Sequence, residues 1–212
     1  MPITAKICGL SMPETLDAAV AQGAAQVGFV FFPPSPRTLS FEQAAGLAGR
    51  VPDHVRKAGV FVDPDDALLD AAIVAARLDI LQLHKTTPDR AAAIRARTGR
   101  EIWAAVAVKT RADLAPAASF AGAADRLLYD AKTPDSAALP GGMGLRFDWT
   151  LLQGHAHPLP WALSGGLTSD NVVEAIRVTG ATAVDVSSGV ESAPGVKDVD
   201  KIAAFLKAVA QC

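Results

Sequence analysis

Apolar residues in this chain follow two spacings. Short apolar-rich runs recur at Ile3 to Ile7, Val27 to Phe32, Val55 to Val62, Ile80 to His84, Glu101 to Val108, Arg126 to Asp130, Pro160 to Leu163 and Ala183 to Val186. Their length and branched or aromatic content predict strands, and the densest of them, Val27 to Phe32, reads as a strand buried on both faces of a parallel sheet. Between the runs lie stretches that open on helix-start signals. These are Ser11 with Pro13 and Glu14, Ser40 with Gln43, Asp63-Pro64-Asp65-Asp66, Thr87-Pro88, Thr168 or Ser169, and Asp198. In the stretch ending near Arg77, Leu68, Leu69, Ile73 and Val74 recur at the period of a helix packed by one face.

Two connections are weaker. Arg111 to Phe120 contains Pro116 and predicts a short or irregular helix. The sixth strand is followed by the longest irregular stretch, Ala131 to Phe147, which includes Gly141-Gly142-Met143-Gly144 and precedes a short helix that Trp149 anchors. Long loops inside compact domains commonly close or line a site.

Eight strand-then-helix units follow one another without a break in composition. With right-handed crossovers this predicts an α/β chain folded as a (β/α)8 TIM barrel, one domain over residues 1–212. A doubly wound open sheet is the competing architecture. Eight strands are many for so short an open sheet, and no dinucleotide fingerprint follows any strand.

Composition narrows the setting. The net charge is -2 and the basic residues are scattered, which is not a nucleic-acid footprint. No apolar run approaches a membrane span, and the first residues lack the order of a secretion signal. Two cysteines, Cys8 and Cys212, do not form a disulfide framework, and a cytoplasmic protein is expected.

In a barrel the C-terminal strand ends share one mouth. That mouth would collect Cys8, Arg37, His84, Asp130, Ser164-Gly165-Gly166 and Asp185-Val186-Ser187-Ser188-Gly189. Glycine turns after the seventh and eighth strands bring backbone N–H groups close to an anion, so Gly165, Gly166, Ser188 and Gly189 are candidate phosphate ligands. Taken alone, each turn reads equally as a tight connection. Asp130 ends an apolar strand, where poor hydration raises a carboxyl pKa towards that of a general acid. It reads equally as a loop cap. Cys8 shares a side of its strand with Lys6, which would lower its pKa and make it a base. The plain alternative is an inert buried thiol. Arg37, in a proline-stiffened loop, suits a ligand carboxylate, and His84 suits positioning of the ligand. His54, His155 and His157 are expected at the surface, no metal site is predicted, and Trp103 and Trp161 are expected to pack in or around the barrel.

Several stretches, taken together and in order, resemble the phosphoribosylanthranilate isomerase family: KICG at Lys6 to Gly9, GFVFFPPSPR at Gly28 to Arg37, GVF at Gly59 to Phe61, LQLH at Leu81 to His84, GGMGLRFDW at Gly141 to Trp149, LSGGL at Leu163 to Leu167 and VDVSSGVESAPGVKD at Val184 to Asp198. The resemblance spans nearly the whole chain. It implies the Amadori rearrangement of N-(5'-phosphoribosyl)anthranilate to 1-(2-carboxyphenylamino)-1-deoxyribulose 5-phosphate, without a cofactor, in tryptophan biosynthesis. It implies Asp130 as general acid, Cys8 as general base, Arg37 on the anthranilate carboxylate, and Asp185 as the aspartate that orients sugar or loop. The small phosphoribosyl substrate is the expected partner, with a monomer or homodimer as the assembly.

Two places depart from the family pattern. Lys85-Thr86-Thr87 stands where many relatives have glycine and an acidic or amide residue after the histidine. Gly142-Met143-Gly144-Leu145-Arg146 stands where many have Gly-Thr-Gly-Lys-Thr, and Arg146 is the candidate replacement for the lysine charge. A related isomerase that also takes the histidine-pathway aminoaldose would carry paired aspartates at the first and fifth strand ends. Here those places hold Cys8 and Val108-Lys109. A non-catalytic sugar-phosphate-binding barrel would need neither Cys8 nor Asp130.

Overall fold

The computed structural model describes residues 2–134 and 141–212, so part of the long loop predicted over 131–147 lies outside the described residues. Eight parallel strands close into a barrel in sequence order: β1 (Thr4–Cys8), β2 (Gln26–Val30), β3 (Arg56–Val62), β4 (Ile80–His84), β5 (Glu101–Val108), β6 (Arg126–Ala131), β7 (Trp161–Leu163) and β8 (Ala183–Val186). Closure is made by β1 against β8, with Lys6 opposite Asp185 and Ile7 opposite Val186. The predicted (β/α)8 barrel is the observed fold.

Among the described residues six α-helices surround it: α1 (Pro13–Ala21), α2 (Phe41–Ala48), α3 (Asp66–Ala76), α4 (Pro88–Thr98), α5 (Val172–Thr179) and α6 (Val199–Val209). Ser40 and Gln43 form the expected capping box on α2. Asp65, Thr87 and Asp198 each accept a backbone N–H at the starts of α3, α4 and α6. The expectation for α1 is corrected. Met12, not Ser11, takes the cap position, no side chain caps the end, and Thr15 Oγ1 donates to the Met12 carbonyl instead. Of the expected face of α3, Leu69 is buried and Leu68 and Ile73 pack partly buried against the core, joined by Ala72 and Ala76, while Val74 is 80% exposed and does not belong to it. The two weak connections are 3-10 helices, Arg111–Phe120 and Trp149–Leu152. Proline at 116 removes a backbone donor from the first of them.

Side chains alternate along each strand. The outward set, such as Ile7, Phe29, Phe61, Leu83, Ile102, Leu127 and Val184, joins the helix faces in one continuous core. The inward set forms layers. Ala58, Ile80, Trp103, Leu128, Ala162 and Ala183 make an apolar floor. Two residues further along β4, β6 and β8, Gln82, Asp130 and Asp185 replace hydrocarbon with polar groups, and Lys6, in register with Asp185 on β1, joins them; all four are at most 7% exposed. Cys8, Val30 and Val60 cluster at the top. Gly28 on β2 makes room for this arrangement: a Cβ there would lie 3.0 Å from Cys8 Sγ and 3.2 Å from Lys6 Cε.

Candidate active site

The barrel mouth opens into a cavity of about 800 Å3, counting its open side. Every candidate residue lines it: Cys8, Arg37, His84, Asp130, Gly165, Gly166, Asp185, Ser188 and Gly189. They come from six different strand ends, β1, β2, β4, β6, β7 and β8 or the loops just after them, and closing the barrel brings them together.

Asp130, at the end of β6, is 7% exposed. Its Oδ1 accepts the backbone N–H of Ala131 at 2.8 Å. Burial, with the negative charge of Asp185 nearby, pushes its carboxyl up to about 7. A protonated carboxylic acid thus persists near neutrality, as a general acid requires. Gly141 passes so close that a Cβ would collide with the Asp130 carboxylate, so the described part of the long loop roofs the acid.

Cys8, at the end of β1, is a free thiol and 6% exposed. Burial pushes this thiol above its ordinary value, even though Lys6 and, more weakly, Lys197 draw it down. The expectation that Lys6 would leave Cys8 with a lowered pKa is therefore corrected. The pull has the expected sign, but desolvation outweighs it, and Asp185 works against it as well.

Arg37 is 5% exposed and already holds a carboxylate of its own chain. Its Nε donates to Glu191 Oε1 at 2.7 Å and its Nη2 to Glu191 Oε2 at 2.8 Å, while Nη2 also donates to the Gly142 carbonyl at 2.9 Å. Glu191 also accepts from Lys197 Nζ at 2.6 Å, and Lys197 donates to the Ser187 carbonyl at 3.0 Å. Burial disfavours the Glu191 carboxylate, but Arg37 and Lys197 outweigh it and lower its pKa. Glu191 and Lys197 sit in a hairpin of β9 (Glu191–Ala193) and β10 (Val196–Lys197) that sequence reasoning missed. The Ala193-Pro194-Gly195 turn between two charged positions was the available signal.

His84 is buried, and its Nε2 lies 3.0 Å from Gln82 Nε2. Burial, then the cations Lys6 and Lys85, lower its pKa to about 4, so the ring is neutral at pH 7. Gln82, overlooked in the sequence, lines the cavity, and its Oε1 is buried without a partner among the described residues. The departure after His84 has a local explanation: Thr86 Oγ1 donates to the His84 carbonyl, and Thr87 caps α4. Arg146 does not line the cavity. Its guanidinium stacks over Trp149, 4.9 Å from the ring centroid, which corrects the expectation that it replaces a lysine at the mouth.

The two glycine turns meet. Gly165 and Gly166 have φ of 89° and 63°, a region that favours glycine. Gly189 packs directly on the Leu167 carbonyl, leaving no space for a side chain. The backbone N–H groups of Gly165 and Gly166 donate to no turn or loop carbonyl among the described residues, and Ser188 and Gly189 open the short 3-10 helix Ser188–Val190. Backbone N–H groups converging beside a cavity in this way are able to receive an anion.

His155 and His157 are half-buried, not surface residues. His157 stacks on Trp161 with centroids 4.5 Å apart, and its Nδ1 lies 3.1 Å from the Tyr129 hydroxyl. Tyr129 faces outward from β6, so this cluster lies outside the barrel lumen. His54 is exposed as expected.

Fold and site together define a (β/α)8 barrel whose mouth gathers a carboxylic acid, a thiol and two glycine turns around one cavity. Comparison with known proteins gives the family. Residues 5–208 match the model of the family described as N-(5'phosphoribosyl)anthranilate (PRA) isomerase. The chain is 53% identical to N-(5'-phosphoribosyl)anthranilate isomerase of Paramagnetospirillum magneticum, over 98% of this chain and 97% of that protein. It is 55% identical to the Rhodospirillum centenum protein of the same name, over 99% of each. The crystal structure of phosphoribosyl anthranilate isomerase from Thermotoga maritima superposes with a TM-score of 0.89 at 36% identity, covering 99% of this chain and 100% of that one. Another solved structure of this enzyme, in complex with reduced 1-(o-carboxyphenylamino)-1-deoxyribulose 5-phosphate, gives a TM-score of 0.86 at 33% identity, with the same coverage. The chain belongs to the phosphoribosylanthranilate isomerase family and is an isomerase of tryptophan biosynthesis.

Proposed function

We propose that this barrel, acting as one domain over residues 1–212, rearranges N-(5'-phosphoribosyl)anthranilate with Asp130 as acid and Cys8 as base. Asp130 gives its proton to the furanose ring oxygen. The C1'–O bond breaks, and the nitrogen lone pair forms a C1'=N iminium. The electron-poor iminium acidifies the C2' hydrogen, which Cys8 removes as a thiolate, giving an enolamine. The enolamine hydroxyl then loses a proton while C1' gains one, and the product is the 1-amino-1-deoxyketose. The enzyme has lost one proton at Asp130 and gained one at Cys8, and their return completes the cycle. Electron flow stays within the substrate, so the scheme needs no redox partner.

The observation that carries this reading is an acid titrating near 7 and a free thiol facing one cavity. The cradle of Gly165, Gly166, Ser188 and Gly189 takes the phosphate, far from the reacting carbons, and orients the sugar. Arg37 meets the anthranilate carboxylate through Nη1, because Glu191 and Gly142 already occupy Nε and Nη2. His84 contributes as a neutral ring, and Asp185 acts on the charges of the site from below. The scheme needs Cys8 as a free thiol, which supports a reducing, cytoplasmic setting. No helix among the described residues is long and apolar enough to cross a membrane. The mouth is formed within one chain and serves a monomer or a homodimer equally.

The test mixes purified protein with freshly prepared N-(5'-phosphoribosyl)anthranilate and follows loss of its fluorescence. Cys8→Ala and Asp130→Asn, with native folding checked by circular dichroism, are each expected to lower kcat by about 10²- to 10⁴-fold. Folded variants that both retain wild-type turnover would overturn the assignment.

A further inference from the structure

Two residues before Cys8, on the same inward-facing row of β1, Lys6 carries its ammonium into the centre of the barrel with no exposed surface. The reaction scheme gives this residue no step. A buried lysine ordinarily tends to lose its proton. Here burial pulls in that direction, but Asp185 and Cys8 together outweigh it and keep the ammonium charged. The Nζ donates to Asp185 Oδ1 at 2.8 Å, and the other Asp185 oxygen accepts from Ser164 Oγ at 3.4 Å.

We propose that Lys6 is the positioning residue of Cys8: its ammonium, held at the barrel centre by Asp185, stabilises the thiolate that removes the C2' proton. The proposal rests on the reading of Cys8 as the base. Its geometry is set by Gly28. The space that a side chain at 28 would fill is bounded by Cys8 Sγ at 3.0 Å and Lys6 Cε at 3.2 Å, so thiol and lysine lie side by side over the bare backbone of β2.

The other groups around the thiol leave Lys6 as its main counter-charge. Lys197, from β10, is committed to Glu191 and Ser187. Arg37, from the loop after β2, is committed to Glu191. His84, from β4, is neutral at pH 7. Asp130 and Asp185, from β6 and β8, are acidic and oppose a thiolate. On β2 and β3, Val30 and Val60 pack against Cys8 as hydrocarbon. One ion pair therefore serves both proton-transfer groups with opposite signs: Lys6 favours the thiolate, and Asp185 favours the protonated Asp130. A purely structural role fits poorly. A buried ion pair stabilises a fold no better than well-packed hydrocarbon does, and the floor of this same barrel is filled with hydrocarbon.

The test titrates Cys8 itself, in a Cys212→Ser background so that the other thiol is silent. The rate of iodoacetamide alkylation is followed against pH. Lys6→Met and Lys6→Gln are expected to move the inflection up by about one pH unit or more, so the thiolate fraction at pH 7 falls about tenfold. Their kcat should fall in proportion with KM nearly unchanged, and Lys6→Arg should restore most of both. Asp185→Asn breaks the same ion pair and is expected to move the inflection down. A structural contact would shift both variants alike or neither, and either result overturns the proposal. If the Lys6 variants lose the native fold, the sign of the Asp185→Asn shift decides: upward or unmoved sinks it. Full activity in Cys8→Ala would instead overturn the base assignment, whatever the thiol titration shows.

Discussion

The two ends of the barrel lumen are built from the same strands and do opposite things. At the floor, Ile80, Trp103, Leu128 and Ala183 fill the space between strands with hydrocarbon. Two residues along those strands, or their neighbours, the same inward positions hold Gln82, Asp130, Asp185 and Lys6. The floor gains free energy from area removed from water. The mouth gives up that gain, and in exchange it fixes charges and proton donors where water cannot screen them. A residue's contribution to stability and its contribution to turnover are thus separated along each strand by one step of the alternation.

The sharpest way to break this separation is to truncate one residue of each layer. Trp103 is 1% exposed in the floor. Trp103→Ala is expected to cost about 3–5 kcal/mol of stability, while the fraction that remains folded keeps kcat within a few-fold. Asp130→Asn is expected to abolish most turnover without that loss of stability. Urea melts paired with initial rates at a temperature where both variants are folded would decide it. A floor variant that is folded but inactive would mean that the layers are coupled.

A second prediction follows from Asp130 alone. Its carboxyl titrates near 3.8 when unconstrained and near 7 in the folded barrel. Between those values the folded chain holds a proton that the unfolded chain has released. The stability from this group is therefore full below about pH 3.8 and is lost as pH rises through about 7. Asp130→Asn has no such proton. At pH 8 it is expected to be more stable than the wild type by on the order of 3 kcal/mol, and the difference should narrow as pH falls towards 5. Activity should run the other way, with kcat/KM of the wild type falling above about pH 7 as the acid loses its proton. A melting-temperature difference independent of pH would contradict the assigned environment of Asp130.

The same contrast explains what was legible in the sequence. Strand alternation and the glycine turns are local, so the barrel and the meeting of Gly165, Gly166, Ser188 and Gly189 could be read from spacing. The resemblance supplied the roles of Cys8 and Asp130, and the mouth geometry is consistent with them. The electrostatic balance could not be read in this way. Spacing placed Lys6 beside Cys8 and gave the right sign to its pull, but not the desolvation that overrides it. The partner of Arg37 lies 154 residues away at Glu191, in a hairpin too short for a periodic signal. The half-burial of His155 and His157 likewise depends on Tyr129 and Trp161, which arrive from β6 and β7. Pairings across the barrel determine these environments, and single-chain patterning does not contain them.

The smallest expected effect compares two histidines. Burial lowers both His84 and His157 to about 4, aided by Lys6 and Lys85 for the first and by His155 for the second. Each is held neutral by the fold, so each contributes stability above the ordinary value of 6.5 that is lost as pH falls towards 4. Only His84 lines the cavity. His157→Phe keeps the stack on Trp161 but removes the titrating nitrogen. It should flatten the acid limb of the stability curve by on the order of 1 kcal/mol, reduced from a fully buried value because part of the ring meets solvent, with kcat and KM unchanged. His84→Gln should flatten the same limb and also raise KM, because its ring lines the cavity. If His157→Phe altered turnover, the outer cluster would be communicating with the lumen through Tyr129, and the division between the packed exterior of the strands and the reactive mouth would fail at β6.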